Sequence, residues 1–301
     1  MKKLAVMASM AALAAGLLTG CGNSGAPAAA SGSSDAANSE QGSSQVQGSA
    51  SESSAQEGTE SGSDRTTFTV GFDAEFPPYG YRDESGEYVG FDLDLAAEVC
   101  ARNGWELVKQ PIDWDSKDME LSSGAIDCIW NGFTMNNRED QYAFTEPYVD
   151  NSQVFVVAGD SGITDKEGLA GKVVAVQKDS SALAALNDEE TPENIALRDS
   201  FSQLIEYADY NTAFMDLEQG AVDAVAMDIG VAQYQIEGRD EGDFVMLEEK
   251  LATEQYGVGF LLGNEALRDT VQTTLDEMAA DGTFAEIAGK WGLEDSVCLG
   301  K

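Results

Sequence analysis

Met119-Glu120-Leu121-Ser122-Ser123-Gly124-Ala125-Ile126-Asp127-Cys128-Ile129 is echoed 96 residues later by Met215-Asp216-Leu217-Glu218-Gln219-Gly220-Ala221-Val222-Asp223-Ala224-Val225. Met, Leu, Gly, Ala and Asp stand at the same places in both copies, and the conservative exchanges Glu/Asp and Ile/Val fill others. Each copy reads as a helix end, a glycine that stops it and a buried apolar strand. Units of that kind are common, so the likeness decides less than where the strands lead. The first run delivers Asn131-Gly132-Phe133-Thr134 and the second delivers Met227-Asp228. In open parallel sheets ligands bind beyond the carboxyl ends of the strands. Two lobes with matching strand ends therefore face each other across a cleft.

Working outward, Thr67 to Phe72 reads as a strand. Phe91, Leu93, Leu95, Ala96 and Val99 then recur at helical spacing until Gly104. Trp105 to Ile112 is a second strand, a short helix capped by Asp115 or Ser116 runs to Ser123, and Ala125 to Trp130 is an apolar strand. The alternation returns in the second half: strands at Val173–Val176, Leu204–Tyr207 and Ala221–Met227, helices at Ser180–Leu186 and Thr212–Gln219. This pattern predicts an α/β protein of two mostly parallel sheets, each covered by helices. Pro147 to Val157 and the stretch around Thr253 to Tyr256 are the two crossings, a two-strand hinge. Lobe 1 takes residues 65–152 and 254–301 and lobe 2 takes 153–253. A strand from Tyr256 to Leu262 and helices at Asn264–Ala280 and Thr283–Trp291 return the chain to lobe 1.

The beginning of the chain is of another kind. Lys2 and Lys3, an apolar stretch from Leu4 to Leu18, and Leu18-Thr19-Gly20-Cys21 form a signal peptide with a lipoprotein cleavage box over residues 1–20, with Cys21 the lipidated first residue of the mature chain. Residues 21–64 are Ser, Gly, Ala, Gln and Glu with almost nothing large and apolar, which predicts a disordered tether. The expected location is the outer face of the cell membrane, on the periplasmic side in a Gram-negative cell.

Charge and composition narrow the chemistry. The 301 residues hold 17 Lys and Arg against 54 Asp and Glu, a net charge of −37. Nucleic acid and anionic lipid would repel such a surface, so the membrane is held through the lipid anchor. There is no histidine, which removes Ser-His-Asp and Cys-His catalysis and the commonest transition-metal ligand. Beyond Cys21 the cysteines are Cys100, Cys128 and Cys298, none in a Cys-x-x-Cys pair, so no metal site and no cofactor is expected. An exported domain can hold one disulfide. Cys128 falls inside an apolar strand and reads as a buried thiol, which leaves Cys100 with Cys298 as the candidate pair.

A free amino acid presents a carboxylate, an ammonium and a side chain. Arg138, a few residues beyond the first strand end, offers a planar fork for the carboxylate, and Thr134 offers a hydroxyl nearby. Asp228, leaving the matching strand of the other lobe, can accept from the ammonium. Asp73-Ala74-Glu75-Phe76-Pro77-Pro78-Tyr79 ends the first strand with aromatics beside acids, a pocket wall that Trp114 can complete.

Together with Tyr88-Val89-Gly90-Phe91-Asp92-Leu93-Asp94, Asn131 to Arg138, Phe144-Thr145-Glu146-Pro147-Tyr148, Gly171 to Val176 and Gln255-Tyr256-Gly257, these residues make the chain resemble the family 3 bacterial extracellular solute-binding proteins from about Thr66 to Trp291. The resemblance implies a two-lobed, type II periplasmic-binding fold that is not an enzyme, closes on one free polar amino acid and docks on an ABC permease. It makes Arg138 the carboxylate clamp with Thr134 and Ser181 as helpers and Asp228 the ammonium acceptor. Asp73, Phe76, Trp114 and Gln177 then surround the side chain, with Asn131 and Gly132 at the strand end between them. Two departures stand out. Only Met135-Asn136-Asn137 separates Thr134 from Arg138 where the family usually has four residues, and Lys178-Asp179-Ser180-Ser181 replaces a glycine-rich turn. Asp73 favours a polar or cationic ligand such as glutamine, arginine, lysine or histidine, while the aromatic wall also suits cystine. The alternatives are a cyclohexadienyl-dehydratase-like enzyme on the same fold, with Glu75 or Asp73 as acid, and a sensor domain that presents its ligand to a receptor.

Overall fold

The computed structural model describes residues 65–301, so the signal-peptide segment, Cys21 and the tether lie outside the described residues. β1 (Thr67–Phe72) begins where predicted, with Phe68, Val70 and Phe72 wholly buried. β2 (Glu75–Phe76), β3 (Gly80–Arg82) and β4 (Tyr88–Val89) make a small antiparallel sheet beside it. α1 (Phe91–Asn103) ends at Gly104, φ 72°, and β5 (Glu106–Pro111) follows. A single 3-10 turn at Trp114–Ser116 leads into α2 (Lys117–Ser123), then β6 (Cys128–Ile129) and β7 (Tyr142–Phe144).

The long β8 (Val149–Ala158) opens the second half, followed by β9 (Val173–Gln177), α3 (Ser181–Leu186), α4 (Pro192–Ser200), β10 (Gln203–Tyr207), α5 (Tyr210–Glu218), β11 (Ala224–Asp228), α6 (Ile229–Glu237) and β12 (Phe244–Met246). β13 (Ala252–Tyr256) runs back against β8, and β14 (Gly259–Leu261), α7 (Glu265–Asp281) and α8 (Thr283–Lys290) complete the chain.

Two lobes result, each built on one sheet. The first sheet has order β5-β1-β6-β14-β7 and the second β10-β9-β11-β8-β12, with β13 also on β8. Pairs within a repeat unit are parallel: β1 with β5 and β6, β9 with β10 and β11. Strands that arrive from the crossings are antiparallel: β14 on β6 and β7, β8 on β11, β12 and β13. Parallel neighbours are joined through covering helices, while β8 and β13, the two crossings, run in opposite directions.

Several boundaries differ from expectation. The apolar run Ala125–Trp130 pairs over only two residues, Val70↔Cys128 and Gly71↔Ile129, because Ile126 swings over Gly71 before pairing begins. The strand expected from Tyr256 to Leu262 breaks at Gly257-Val258, where the chain leaves β8 for β7 and Thr145 Oγ1 accepts from Val258 N at 2.9 Å. Helices α4 and α6 had no counterpart in the sequence reading. α4 starts with Pro192 in its first turn, where a missing N–H costs nothing. Ser116 precedes α2 without a capping hydrogen bond from its side chain.

The Cys100–Cys298 disulfide is not formed, since Cys100, Cys128 and Cys298 are free thiols. Cys100 faces the core from α1, where burial pushes its thiol up to about 12, while Cys298 lies 3.5 Å from the Pro147 carbonyl beside the crossing. Among the described residues no helix is long and apolar enough to cross a membrane.

Candidate ligand-binding cleft

The ends of β6 and β11 meet as the repeat implied. Phe76, Trp114, Asn131 and Gly132 from one lobe and Gln177, Ser180, Ser181 and Asp228 from the other line a single cavity. Its volume is about 10 Å³, room for about one water and too little for an amino acid. The lobes are therefore shut. Gln177 Nε2 donates to Asp73 Oδ2 at 2.7 Å, Trp114 Nε1 donates to the Asp179 carbonyl at 3.2 Å, and Lys117–Asp179 and Lys178–Asp115 pair along the rim. A ligand enters only when these contacts part.

Arg138 is half-buried, with its guanidinium over the Phe133 ring at 5.1 Å. Its Nη1 donates to the Thr134 carbonyl at 3.1 Å and to Ser181 Oγ, across the cleft, at 3.4 Å. In a chain this acidic, no described carboxylate pairs with it. The shortened Met135-Asn136-Asn137 loop reaches this position by turning through Asn137 at φ 62°, a left-handed conformation that Asn tolerates better than most residues. Arg138 does not itself line the cavity; it reaches it through Ser181.

Asn131 is buried, yet neither Nδ2 nor Oδ1 has a partner among the described residues. A buried amide left so forfeits about 1–3 kcal/mol per group, and this one borders the cavity. Gly132 takes φ 56°, and a Cβ there would sit 2.9 Å from both the Phe76 and Tyr256 rings. Its amide donates to Asp92 Oδ2 at 2.6 Å, which pins the turn. Ser180 caps α3 by accepting from Leu183 N, so that Ser181 opens the helix.

Asp228 closes β11 at 4 % exposure. Asn151 Nδ2, Gln153 Nε2 and the Tyr256 hydroxyl all donate to its Oδ1, at 2.8, 2.6 and 2.5 Å. The same two amide nitrogens donate to Glu254 Oε1 at 2.7 Å each, and Thr134 Oγ1 donates there at 2.8 Å. Thr134's hydroxyl proton is thus committed to Glu254 rather than turned to the cavity. Register explains the cluster. Asp228 pairs with Gln153 and Glu254 with Asn151, and the two-residue period of β8 puts both amides on one face. Burial raises both acids, and the neighbouring Asp228 charge adds to the rise of Glu254, to about 7.

Asp73 stands outside the cavity behind Gln177. Burial raises it to about 6, against hydrogen bonds from Glu75 N and Gln177. Its other side opens on a groove of about 680 Å³ whose walls include Glu75, Asp113, Asp115, Glu206 and Asp209. The sequence reading missed Glu254, Asn151, Gln153 and Asp92. Nothing in a lone Glu within Thr253-Glu254-Gln255 distinguishes it from a solvated edge residue, and only strand pairing brings it inward. Asp92 did carry a signal, an acid flanked by the apolar Phe91 and Leu93 at the start of a buried helix.

The family model for bacterial extracellular solute-binding proteins, family 3, matches residues 68–294. Over 231 residues the chain is 28% identical to the L-cystine-binding protein TcyJ of Escherichia coli (strain K12), covering 76% of this chain and 83% of that protein. An ABC uptake transporter substrate-binding protein from Streptococcus pneumoniae with bound histidine superimposes with a TM-score of 0.72 at 34% identity, covering 77% of this chain and 94% of that one. The ancestral amino-acid-binding protein AncCDT-1, a precursor of cyclohexadienyl dehydratase, superimposes with a TM-score of 0.67 at 26% identity over 75% and 95% of the two chains. The sheet order, the lobes and the cleft are those of a type II periplasmic-binding fold. With the match running through both lobes, the chain belongs to the family 3 bacterial extracellular solute-binding proteins.

Proposed function

We propose that this protein is the extracytoplasmic substrate-binding component of an ABC importer and captures one free polar or cationic amino acid, cystine included, between its lobes. One observation carries the reading: Arg138, a guanidinium with no carboxylate partner among the described residues, and a buried carboxylate, Asp228, approach one interlobe cavity from opposite lobes. In the open form Arg138 takes the ligand carboxylate, and closure brings Asp228 and Gln177 onto the ammonium and side chain. The ligand's differential affinity for the closed form shifts the hinge. Asn131's unpartnered amide and the Phe76 and Trp114 faces complete the side-chain pocket, and Asp73, through Gln177, tunes which side chain is accepted. The lobes are drawn as 65–152 with 254–301, and 153–253.

Thermal-shift and calorimetric titration with the twenty amino acids, cystine and ornithine tests this. A ligand at a hundred times its dissociation constant adds about 2.7 kcal/mol of stability, and a panel in which nothing stabilises the protein overturns the reading. Anchoring rests on the Cys21 box: radiolabelled palmitate should enter the wild type and not Cys21→Ala. We read the chain as a binding protein rather than a dehydratase, because Asp73 is engaged by Gln177 and Glu75 N. Incubation with prephenate or arogenate should yield no product.

A further inference from the structure

Asp228 and Glu254 lie on one sheet face at the hinge, and each receives three side-chain hydrogen bonds on a single oxygen, Oδ1 or Oε1. Both oxygens are within 2.7 Å of Gln153 Nε2, so the two carboxyls are neighbours that divide the hydrogens of the same amides. Those amides turn their NH₂ groups to the acids at a cost: Asn151 Oδ1 and Gln153 Oε1 are buried without partners. Two adjacent ionised carboxylates with little solvent and no counter-ion are strongly disfavoured, and such a pair holds one proton between them. The surrounding groups supply no counter-charge. Tyr256 from β13 and Thr134 beyond β6 donate neutral hydroxyls, while Tyr79 and Tyr210 are buried phenols beside the pair. Asp150, Asp295 and Lys250 line the outer groove that Glu254 borders, and among the described residues no Lys or Arg forms a salt bridge with either acid. Burial raises both groups, and the Asp228 charge adds to the rise of Glu254.

We propose that Asp228 and Glu254 form one proton-holding pair in the hinge, and that capture of the ligand's ammonium expels the shared proton, making Glu254 a positioning residue that couples binding to proton release. The proposal rests on Asp228 as the ammonium acceptor. The balance is simple: the ligand-free pair carries one proton and one negative charge, the ammonium brings one positive charge, both carboxylates ionise against it, and the proton leaves to solvent. Before binding, that proton relieves the repulsion within the pair and lets it stay buried; afterwards the ammonium does.

The test uses L-arginine, L-glutamine and L-cystine; L-histidine is left out because its own imidazole titrates in the same range. Calorimetry at pH 6.5 in phosphate and in a buffer of large ionisation enthalpy should give different heats for the wild type, with affinity tightening on raising the pH from 6 to 7, up to about tenfold for one proton released. Glu254→Gln should bind with equal heats in both buffers and a flat pH profile, and Glu254→Asp should restore the release. Equal heats and a flat profile in the wild type overturn the proposal. A second arm needs no ligand. Tm should fall more steeply from pH 5 to 8 in the wild type than in Glu254→Gln, and equal slopes overturn the pair. Should neither these three amino acids nor any other of the full panel bind the wild type while the Tm slopes differ, the acid pair stands and the amino-acid reading of the cleft falls.

Discussion

The two copies of the repeat place their strand ends alike and equip them differently. The first arm, α2 to β6, pairs over two residues and then runs out through Asn131, Gly132 and Arg138, with an unpartnered amide and a cation without an acid. The second arm, α5 to β11, pairs over five residues and ends on Asp228, a carboxylate held by three donors from the hinge. One arm leaves the Asn131 amide without a partner and the Arg138 charge without an acid among the described residues; the other has its carboxylate fixed before any ligand arrives. Similarity at matched positions thus reports where a side chain sits, while what it can do is decided by the neighbours that tertiary structure supplies.

The largest test of this contrast is Arg138→Ala. Removing the free cation should cost about 2–5 kcal/mol of binding energy, read by calorimetry, with little change in Tm because no described acid depends on it. Asp228→Asn tests the fixed arm. Affinity should drop by about 1–3 kcal/mol for a lost charged hydrogen bond, while Tm at pH 8 should hold or rise because Glu254 loses a like-charged neighbour. Binding of Asp228→Asn at wild-type strength would mean that the second arm does not meet the ammonium.

Proton linkage sharpens the comparison further. Burial raises Asp92, behind the first arm, to about 7 and Glu254, behind the second, to about 7, from ordinary values of 3.8 and 4.5. The native state then holds more protons than the unfolded chain between those limits, so stability is fully present below pH 4 and is lost as pH rises towards 7. Scanning calorimetry from pH 5 to 8 should show Tm falling. Asp92→Asn and Glu254→Gln should each flatten that fall, and a Tm that climbs over the interval would contradict the assignment. The smallest effect lies where the arms are most alike. Gly124 and Gly220 stop their helices at φ 77° and 70° with open space around the absent Cβ. Gly124→Ala and Gly220→Ala should each lose about 1 kcal/mol from the left-handed backbone alone, and unequal losses in urea melts would show that the two stops are not equivalent.

Elements that carry their own pattern were legible in the sequence. β1 came out to the residue because its apolar run is fully buried, and α1 because its five spaced apolar side chains end at Gly104. α6 was hidden because Asp228 ends a strand and immediately precedes a helix with no loop between, so no turn residues mark the change. The site divided in the same way. Phe76, Trp114, Asn131, Gly132, Gln177, Ser181 and Asp228 follow from strand and helix ends and are brought together at one cavity, whereas Glu254, Asn151 and Gln153 depend on the register of β13 and β11 against β8, information that no local stretch contains.

The rim pairs carry one consequence for how the closed cleft responds to salt. Asp115 and Lys117 on one lip meet Lys178 and Asp179 on the other, and apart from Lys117, at 3 % side-chain exposure, these groups stand 40–56 % exposed. Ions in the medium weaken attraction at that exposure, the screening length shrinking from about 10 Å at 0.1 M salt to about 3 Å at 1 M. Salt therefore loosens the two rim pairs themselves, the exposed Lys178–Asp115 pair more than the one that holds the buried Lys117.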